Sequence, residues 1–532
     1  MSADLAAQGG LLALRLRRWL DRRPVVETLA AAALGALQTL SFVATAAWPL
    51  PLLCIAALAW RVQAVAPRRA ALLGAAFGTS WVAAAVWWLF ISMYRYGGLP
   101  APLAAGAVAL LALALSGYLA LALAALARAR RGRWLADAGL FALAWAAAEL
   151  ARGLLFTGFP WAASGYAQID GPLAGWAPWL GVYGIGALAA GWAALLGLAF
   201  ALPAPGWRVK AGGLIASALV LALPGLVGPG EFTQPTGRLT VTLLQPNVAQ
   251  DEKFAAEHLP DTLRWVSEGL RAAAGDLVIA PETAVPLLPE QLAQVDPGYW
   301  PQLQQHFAAA GAPVALLGVP LGSFEAGYTN SVVALDAAGT TGAARYRYDK
   351  AHLVPFGEFI PTGFHWFTEM MNIPLGDFAR GPVNAPSYPL RGERIAPNIC
   401  YEDLFGEELA RRFTDAGQAP TILANVSNIG WFGDTIAVDQ HLQISRMRTL
   451  ELQRPMLRAT NTGATVVIDH RARVLARQAP FQRGVLVGEV QGRRGRTPYA
   501  AWVGTTGLWP LLLLGWAALA GLAWRARRRQ GT

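Results

Sequence analysis

Three short segments of this 532-residue chain end in groups that together could carry out acyl chemistry on a thiol. Cys400 lies in Arg394-Ile-Ala-Pro-Asn-Ile-Cys-Tyr-Glu-Asp403, Glu282 closes Asp276-Leu-Val-Ile-Ala-Pro-Glu282, and Lys350 closes Ala344-Arg-Tyr-Arg-Tyr-Asp-Lys350. Cys400 is one of two cysteines, and the other, Cys54, falls in a strongly apolar stretch where a core role suits it. A lone thiol in a polar block has no intramolecular disulfide partner. It is either a small buried apolar side chain or a nucleophile. The surroundings favour the nucleophile, because Arg394 to Ile399 reads as a strand and Glu402-Asp403 opens an acidic turn. A thiol at such a corner is held where a reacting carbonyl can reach it. A carboxylate can take its proton and an ammonium can hold the resulting oxyanion. All three residues close apolar or alternating runs, and α/β sheets gather ligand-facing groups at such strand ends. The alternative is three unrelated surface residues.

The elements around these segments are of two kinds. The chain is 55% hydrophobic and 14% charged, with 21 Trp, too apolar for an ordinary globular protein. Apolar stretches long enough to cross a bilayer, about 20 residues each, occur at 26–44, 47–65, 70–93, 100–127, 134–156, 173–201, 209–229 and 506–524. Arg15, Arg17, Arg18, Arg22 and Arg23 precede the first, and Arg61, Arg68 and Arg69 follow the second. Arg128, Arg130, Arg131 and Arg133 follow the fourth, Arg208 and Lys210 the sixth, and Arg525, Arg527, Arg528 and Arg529 the last. The positive-inside rule then places both termini in the cytoplasm and the large polar block outside. The expected domains are a transmembrane bundle at 1–229, an external domain at 230–505, and a final span with a basic tail at 506–532. The net charge of +10 is a topology signal on this reading, and no nucleic-acid binding is inferred. A cleaved first segment ending at Ala44-Thr-Ala46 would leave the block on the same side. The six histidines form no metal motif, and no nucleotide loop is visible.

Two further features stand out. Glu149 and Arg152 are ionisable groups at membrane depth, which is costly unless they face a bundle interior or a wet site; they form either a helix-end ion pair or one wall of a substrate site. Phe364-His-Trp-Phe-Thr-Glu-Met-Met371, with Ile373 and Leu375, is unusually apolar for an external loop. It is either packed on the domain core or an arm dipping into the outer leaflet, with Trp431-Phe432 as a second such contact.

Taken together, the segments resemble the bacterial apolipoprotein N-acyltransferases, the membrane-embedded members of the nitrilase (carbon–nitrogen hydrolase) superfamily. The resemblance runs over nearly the whole chain. It rests on Gly158-Phe-Pro-Trp161, Gly165 to Gly171, Gln245-Pro-Asn247, Pro281-Glu-Thr283, Asp349 to Glu358, Ile399-Cys-Tyr-Glu-Asp403, Asn425 to Gly433 and Arg454 to Gly463. It implies an α-helical membrane bundle of about eight helices carrying an external α/β nitrilase-like αββα sandwich. It implies a catalytic triad of Glu282, Lys350 and Cys400, supported by Glu358, Tyr401, Glu402, Phe254, Arg152 and Trp431. The implied reaction moves an acyl chain from a phospholipid, typically phosphatidylethanolamine, to the α-amine of an S-diacylglyceryl-cysteine apolipoprotein at the bacterial inner membrane. It proceeds through a cysteine thioester with no cofactor. Family members often carry Trp where Phe254 stands and Asp where Ile429 stands; the second departure weakens any need for a carboxylate there. A membrane-tethered nitrilase or amidase would share the triad but need neither the 158–171 segments nor an apolar arm. A transporter or receptor with a degenerate sensor domain would have no use for an intact triad.

Overall fold

The computed structural model describes residues 13–228, 230–337, 346–361 and 378–530. The chain divides into a helical unit (Met1–Trp87, Ala105–Gly230, Thr506–Thr532) and an α/β unit (Trp88–Ala104, Glu231–Thr505).

Among the described residues of the helical unit and the adjoining segment, eight helices are long and apolar enough to span a membrane. They are Pro24–Val43, Thr45–Val62, Pro67–Val86, Ala101–Ala129, Trp134–Thr157, Pro172–Ala201, Trp207–Val227 and Trp509–Arg529. Their outward faces are apolar: Leu110, Leu113, Leu121, Ile215, Leu219, Val220 and Leu223 are all exposed. Contiguous exposure on this scale requires lipid as the solvent; the chain is a multi-pass membrane protein. Small residues let the helices approach closely. At Gly197 a Cβ would stand 2.1 Å from the Ala56 carbonyl oxygen. The expected third span, 70–93, is too long. Its helix ends at Val86, and Trp88–Ala104 belongs to the α/β unit instead. There Trp88 Nε1 donates to Gln440 Oε1 (3.1 Å), its ring meets Phe432 (4.2 Å between centroids), and Arg95 pairs with Asp251 (2.8 Å).

The α/β unit contains two six-stranded sheets. One runs β12-β1-β2-β3-β4-β5 and the other β11-β10-β9-β8-β7-β6. The strands are β1 (Thr233–Gln245), β2 (Leu277–Ala280), β3 (Val314–Ser323), β4 (Gly327–Leu335), β5 (Arg347–Asp349), β6 (Tyr388–Leu390), β7 (Glu393–Ile399), β8 (Ile422–Ser427), β9 (Met456–Thr460), β10 (Val466–Ile468), β11 (Val474–Arg477) and β12 (Gly484–Gly495). Side-chain alternation explains the layering. Leu277 and Ile279 of β2 face the other sheet, where Ile395, Ile399, Ala424, Val426 and Leu457 complete a shared core. Their neighbours Val278 and Ala280 face outward onto Leu263, Val266, Leu270, Leu303 and Phe307, which lie on α1 (Leu259–Ala272) and α2 (Tyr299–Ala308). The outer face of the second sheet is partly polar. Asn398, Asn425 and Arg458 sit side by side in register on β7, β8 and β9, and Arg458 bonds to His441 on α3 (Ala437–Leu452). The result is the expected αββα sandwich. In both sheets the central pairings, β1–β2–β3 and β7–β8–β9, are parallel, so functional groups emerge together at their carboxyl ends.

Candidate active site

Glu282, Lys350 and Cys400 follow β2, β5 and β7, and all three sit on strained or tightly bonded turns. Cys400 has φ 51°, in the left-handed region, an arrangement that costs about 1–3 kcal/mol for a non-glycine residue and persists only where surrounding bonds enforce it. The strain turns the chain sharply out of β7, and Cys400 is only partly buried. Thr283, directly after the carboxylate, has φ 48°.

Every oxygen of Glu282 has a donor. Oε1 accepts from Asn330 Nδ2 at 2.8 Å and from Lys350 Nζ at 3.3 Å, and Oε2 accepts the Asn428 backbone N–H at 2.7 Å. Lys350 is 1% exposed and reaches Glu358 at 2.9 Å. Glu358 accepts from Asn330 Nδ2 (2.8 Å) and from the Val354 N–H (2.9 Å). Asn330 thus bridges the two carboxylates and keeps them from meeting unscreened. Burial works against the Lys350 ammonium, but the charges of Glu358 and Glu282 outweigh it and hold Lys350 above the ordinary lysine range. Burial, joined by the negative field of Glu282, pushes the Cys400 thiol well up, with Lys350 and Arg458 opposing. The resting site therefore holds a thiol beside a fixed cation, with a hydrogen-bonded carboxylate in the same field.

The chain has counterparts among known proteins. Residues 240–499 match the carbon–nitrogen hydrolase family and residues 34–195 match the apolipoprotein N-acyltransferase N-terminal domain. An apolipoprotein N-acyltransferase of Verminephrobacter eiseniae is 52% identical over 491 residues, covering 87% of this chain and 89% of that one. Its counterpart in Ralstonia nicotianae is 45% identical over 542 residues, covering 99% and 98%. The chain belongs to the apolipoprotein N-acyltransferase family. Among solved structures, a carbon–nitrogen hydrolase from Helicobacter pylori G27 aligns with 52% of this chain and 94% of its own, at 17% identity and a TM-score of 0.34.

Other residues singled out from the family resemblance fall in several places. Glu402 accepts N–H groups from Ala351 (2.7 Å), His352 (3.2 Å) and Ile399 (2.6 Å) and the Tyr348 hydroxyl (2.8 Å). Those bonds tie the Lys350 turn to the Cys400 corner. Tyr401 is buried, with its ring 5.2 Å from Phe405 and 5.7 Å from His352. Phe254 is half-buried in the turn that carries Lys253. Trp431 packs edge-on to Tyr96 at 5.7 Å. Ile429 is 1% exposed and abuts Gly463, so an apolar side chain suits the position. Arg152 belongs to the helical unit. It donates to Glu149 (3.0 Å) and to the Ala162 carbonyl (2.8 Å) and lies over the Trp81 ring (4.7 Å). The apolar arm, 364–375, lies outside the described residues.

Four groups escaped sequence reading in this family member: Asn330, Asn428, Lys253 and His441. Lys253 is 3% exposed, and its ammonium donates to the Glu282 carbonyl (3.1 Å) and to Thr283 Oγ1 (2.9 Å). Burial pulls it down to about 8, although Glu282 and Cys400 both act to raise it. The available signals were the place of Asn428 inside the Asn425 to Gly433 segment and that of Lys253 between Gln245-Pro-Asn247 and Pro281-Glu-Thr283. His441 is fully buried on α3 and reaches the Cys400 carbonyl.

Proposed function

We propose that this enzyme transfers an acyl chain from a membrane phospholipid to the N-terminal α-amine of diacylglyceryl-cysteine apolipoproteins, with Cys400 as the acyl carrier. The observation that carries the role assignment is the shared field of Glu282, Lys350 and the Cys400 thiol on three strand ends.

In the first half-reaction Glu282 takes the Sγ proton as Sγ attacks the ester carbonyl carbon. The carbonyl oxygen becomes an oxyanion held by the Lys350 ammonium and the Tyr401 backbone N–H. Its collapse breaks the ester C–O bond, and Glu282 returns the proton to the leaving lysophospholipid. In the second half the neutral α-amine attacks the thioester, Glu282 takes the amine proton, the C–S bond breaks, and the proton returns to Sγ. The net change is ester plus amine to amide plus alcohol. A thioester is reactive enough to acylate an amine without nucleotide activation. The arginine distribution supports an inner-membrane enzyme with its α/β unit in the periplasm, and phosphatidylethanolamine is the proposed donor. The proposed domains are a bundle at 1–229, a catalytic domain at 230–505 and a final anchor at 506–532.

The direct test supplies purified protein with phospholipid and a synthetic diacylglyceryl-cysteine peptide. A mass gain of one acyl chain on the peptide's α-amine, with equimolar lysophospholipid, is expected. Free fatty acid with an unmodified peptide would instead mark a hydrolase and overturn the assignment.

Lys253 adds a pH dependence. Its ammonium is present below about pH 8 and favours negative charge on Sγ; above that pH the charge is lost. Because the thiol itself titrates far higher, acyl-thioester formation should fall as pH rises through about 8. Lys253→Met should be slower by roughly 5- to 10-fold below pH 8 and should lack this limb. Single-turnover acylation between pH 6 and 10 measures both.

A further inference from the structure

The corner at Cys400 is held by a buried polar assembly whose hydrogen bonds go to the Cys400 carbonyl. The Cys400 carbonyl accepts from His441 Nε2 at 3.2 Å and from Asn425 Nδ2 at 3.4 Å. A carbonyl only accepts, so the imidazole proton sits on Nε2. The other ring nitrogen confirms the tautomer: His441 Nδ1 faces Arg458 Nη2 at 2.7 Å, and a guanidinium only donates. Burial and the Arg458 charge keep the imidazole well below the ordinary histidine range, hence neutral. Arg458 is balanced by Asp403 at 3.3 Å. Asn425 is oriented by Ser427 Oγ on its oxygen (2.6 Å) and by Asn398 Oδ1 on its amide nitrogen (2.6 Å). His441, Asn425 and Arg458 are all 0% exposed, so no water competes for these bonds.

The carbonyl they grip belongs to the same planar peptide unit as the Tyr401 N–H, which lies trans to it. Hydrogen bonds to a peptide oxygen draw electron density from its nitrogen and strengthen the N–H as a donor, and linked bonds polarise one another. They also fix the plane, and with it the direction of the N–H. We infer that His441, its tautomer set by Arg458, and Asn425 are positioning residues that lock and polarise the Cys400–Tyr401 peptide as an oxyanion donor. This deepens the proposed function and rests on its assignment of the Tyr401 N–H to the oxyanion. It also explains why the outer face of β7, β8 and β9 carries Asn398, Asn425 and Arg458 where an apolar row would pack more cheaply: the row is the foundation of the clamp.

Two reactions of Cys400 separate this role from plain support of the thiol. Acylation by phospholipid passes through an oxyanion; alkylation by iodoacetamide does not. In the full-length protein in micelles, His441→Leu should slow single-turnover acylation about 10- to 100-fold, below the full loss of an oxyanion donor. Its iodoacetamide rate should stay within about threefold of wild type. His441→Gln, whose amide nitrogen reaches the place of Nε2, should recover most of the acylation rate. Should the leucine variant not fold, His441→Asn, whose amide reaches only the place of Nδ1, must acylate more slowly than His441→Gln. Wild-type acylation by His441→Leu, a parallel fall in both reactions, or equal rates for the glutamine and asparagine variants would overturn the inference. Absence of a Cys400 adduct in the wild type would overturn the proposed function instead.

Discussion

Cys400→Ala should abolish transfer outright while leaving the fold intact. No other thiol can substitute, since the second cysteine, Cys54, is buried in a helix of the helical unit. An alanine at φ 51° pays the same backbone strain as the cysteine, so the corner should survive. Removing one partly buried sulfur leaves only a small space at the site. A nucleophile that forms the covalent intermediate has no partial replacement, and residual turnover should fall to the uncatalysed level. Cys400→Ser should be nearly as poor, because a hydroxyl is harder to deprotonate and an oxygen ester is less reactive toward an amine. Lipopeptide acylation and thermal melting of the purified variants measure both halves of the expectation.

Glu282→Gln and Lys350→Met should each slow acyl-thioester formation by about 10²–10³-fold, or about 3–4 kcal/mol of barrier. Glutamine keeps one acceptor oxygen, enough for Asn330 or for the Asn428 N–H but not for both, and it cannot take the thiol proton. Methionine removes the oxyanion charge and leaves Glu282 and Glu358 buried without their cation. The double variant should be little slower than the worse single one, because both groups act in one transition state. Independent, multiplying losses would show that the two groups serve different steps.

The legible part of the site was its local part. Each expected triad residue closes an apolar or alternating run that reads as a strand, and the structure places each at a strand's carboxyl end. The αββα layering follows from the same parity, as Leu277 and Ile279 against Val278 and Ala280 illustrate. What stayed hidden depends on contacts between segments far apart in sequence. Asn330 joins Glu282 to Glu358 and His441 supports Cys400, yet neither stands in a segment that announces a role. The overlong third span has a physical cause as well: hydropathy is the same for residues buried in lipid and in protein. Trp88, packed on Phe432 and bonded to Gln440, therefore reads as membrane when it is part of the α/β unit. Glu402, expected as a supporting residue, makes four hydrogen bonds that join two turns.

The central claim is that the acyl chain rests on Cys400 between donor and acceptor, and a pulse–chase by mass spectrometry tests it most directly. Wild-type protein is loaded with phospholipid alone, freed of lipid, and digested. The peptide containing Cys400 should carry one hydroxylamine-sensitive acyl chain. Loaded protein given a diacylglyceryl-cysteine peptide, with no further phospholipid, should lose that mass from Cys400 and add it to the peptide's α-amine in equal amount. An adduct that persists in the presence of the amine, or transfer that proceeds without acyl chain ever appearing on Cys400, would contradict the account.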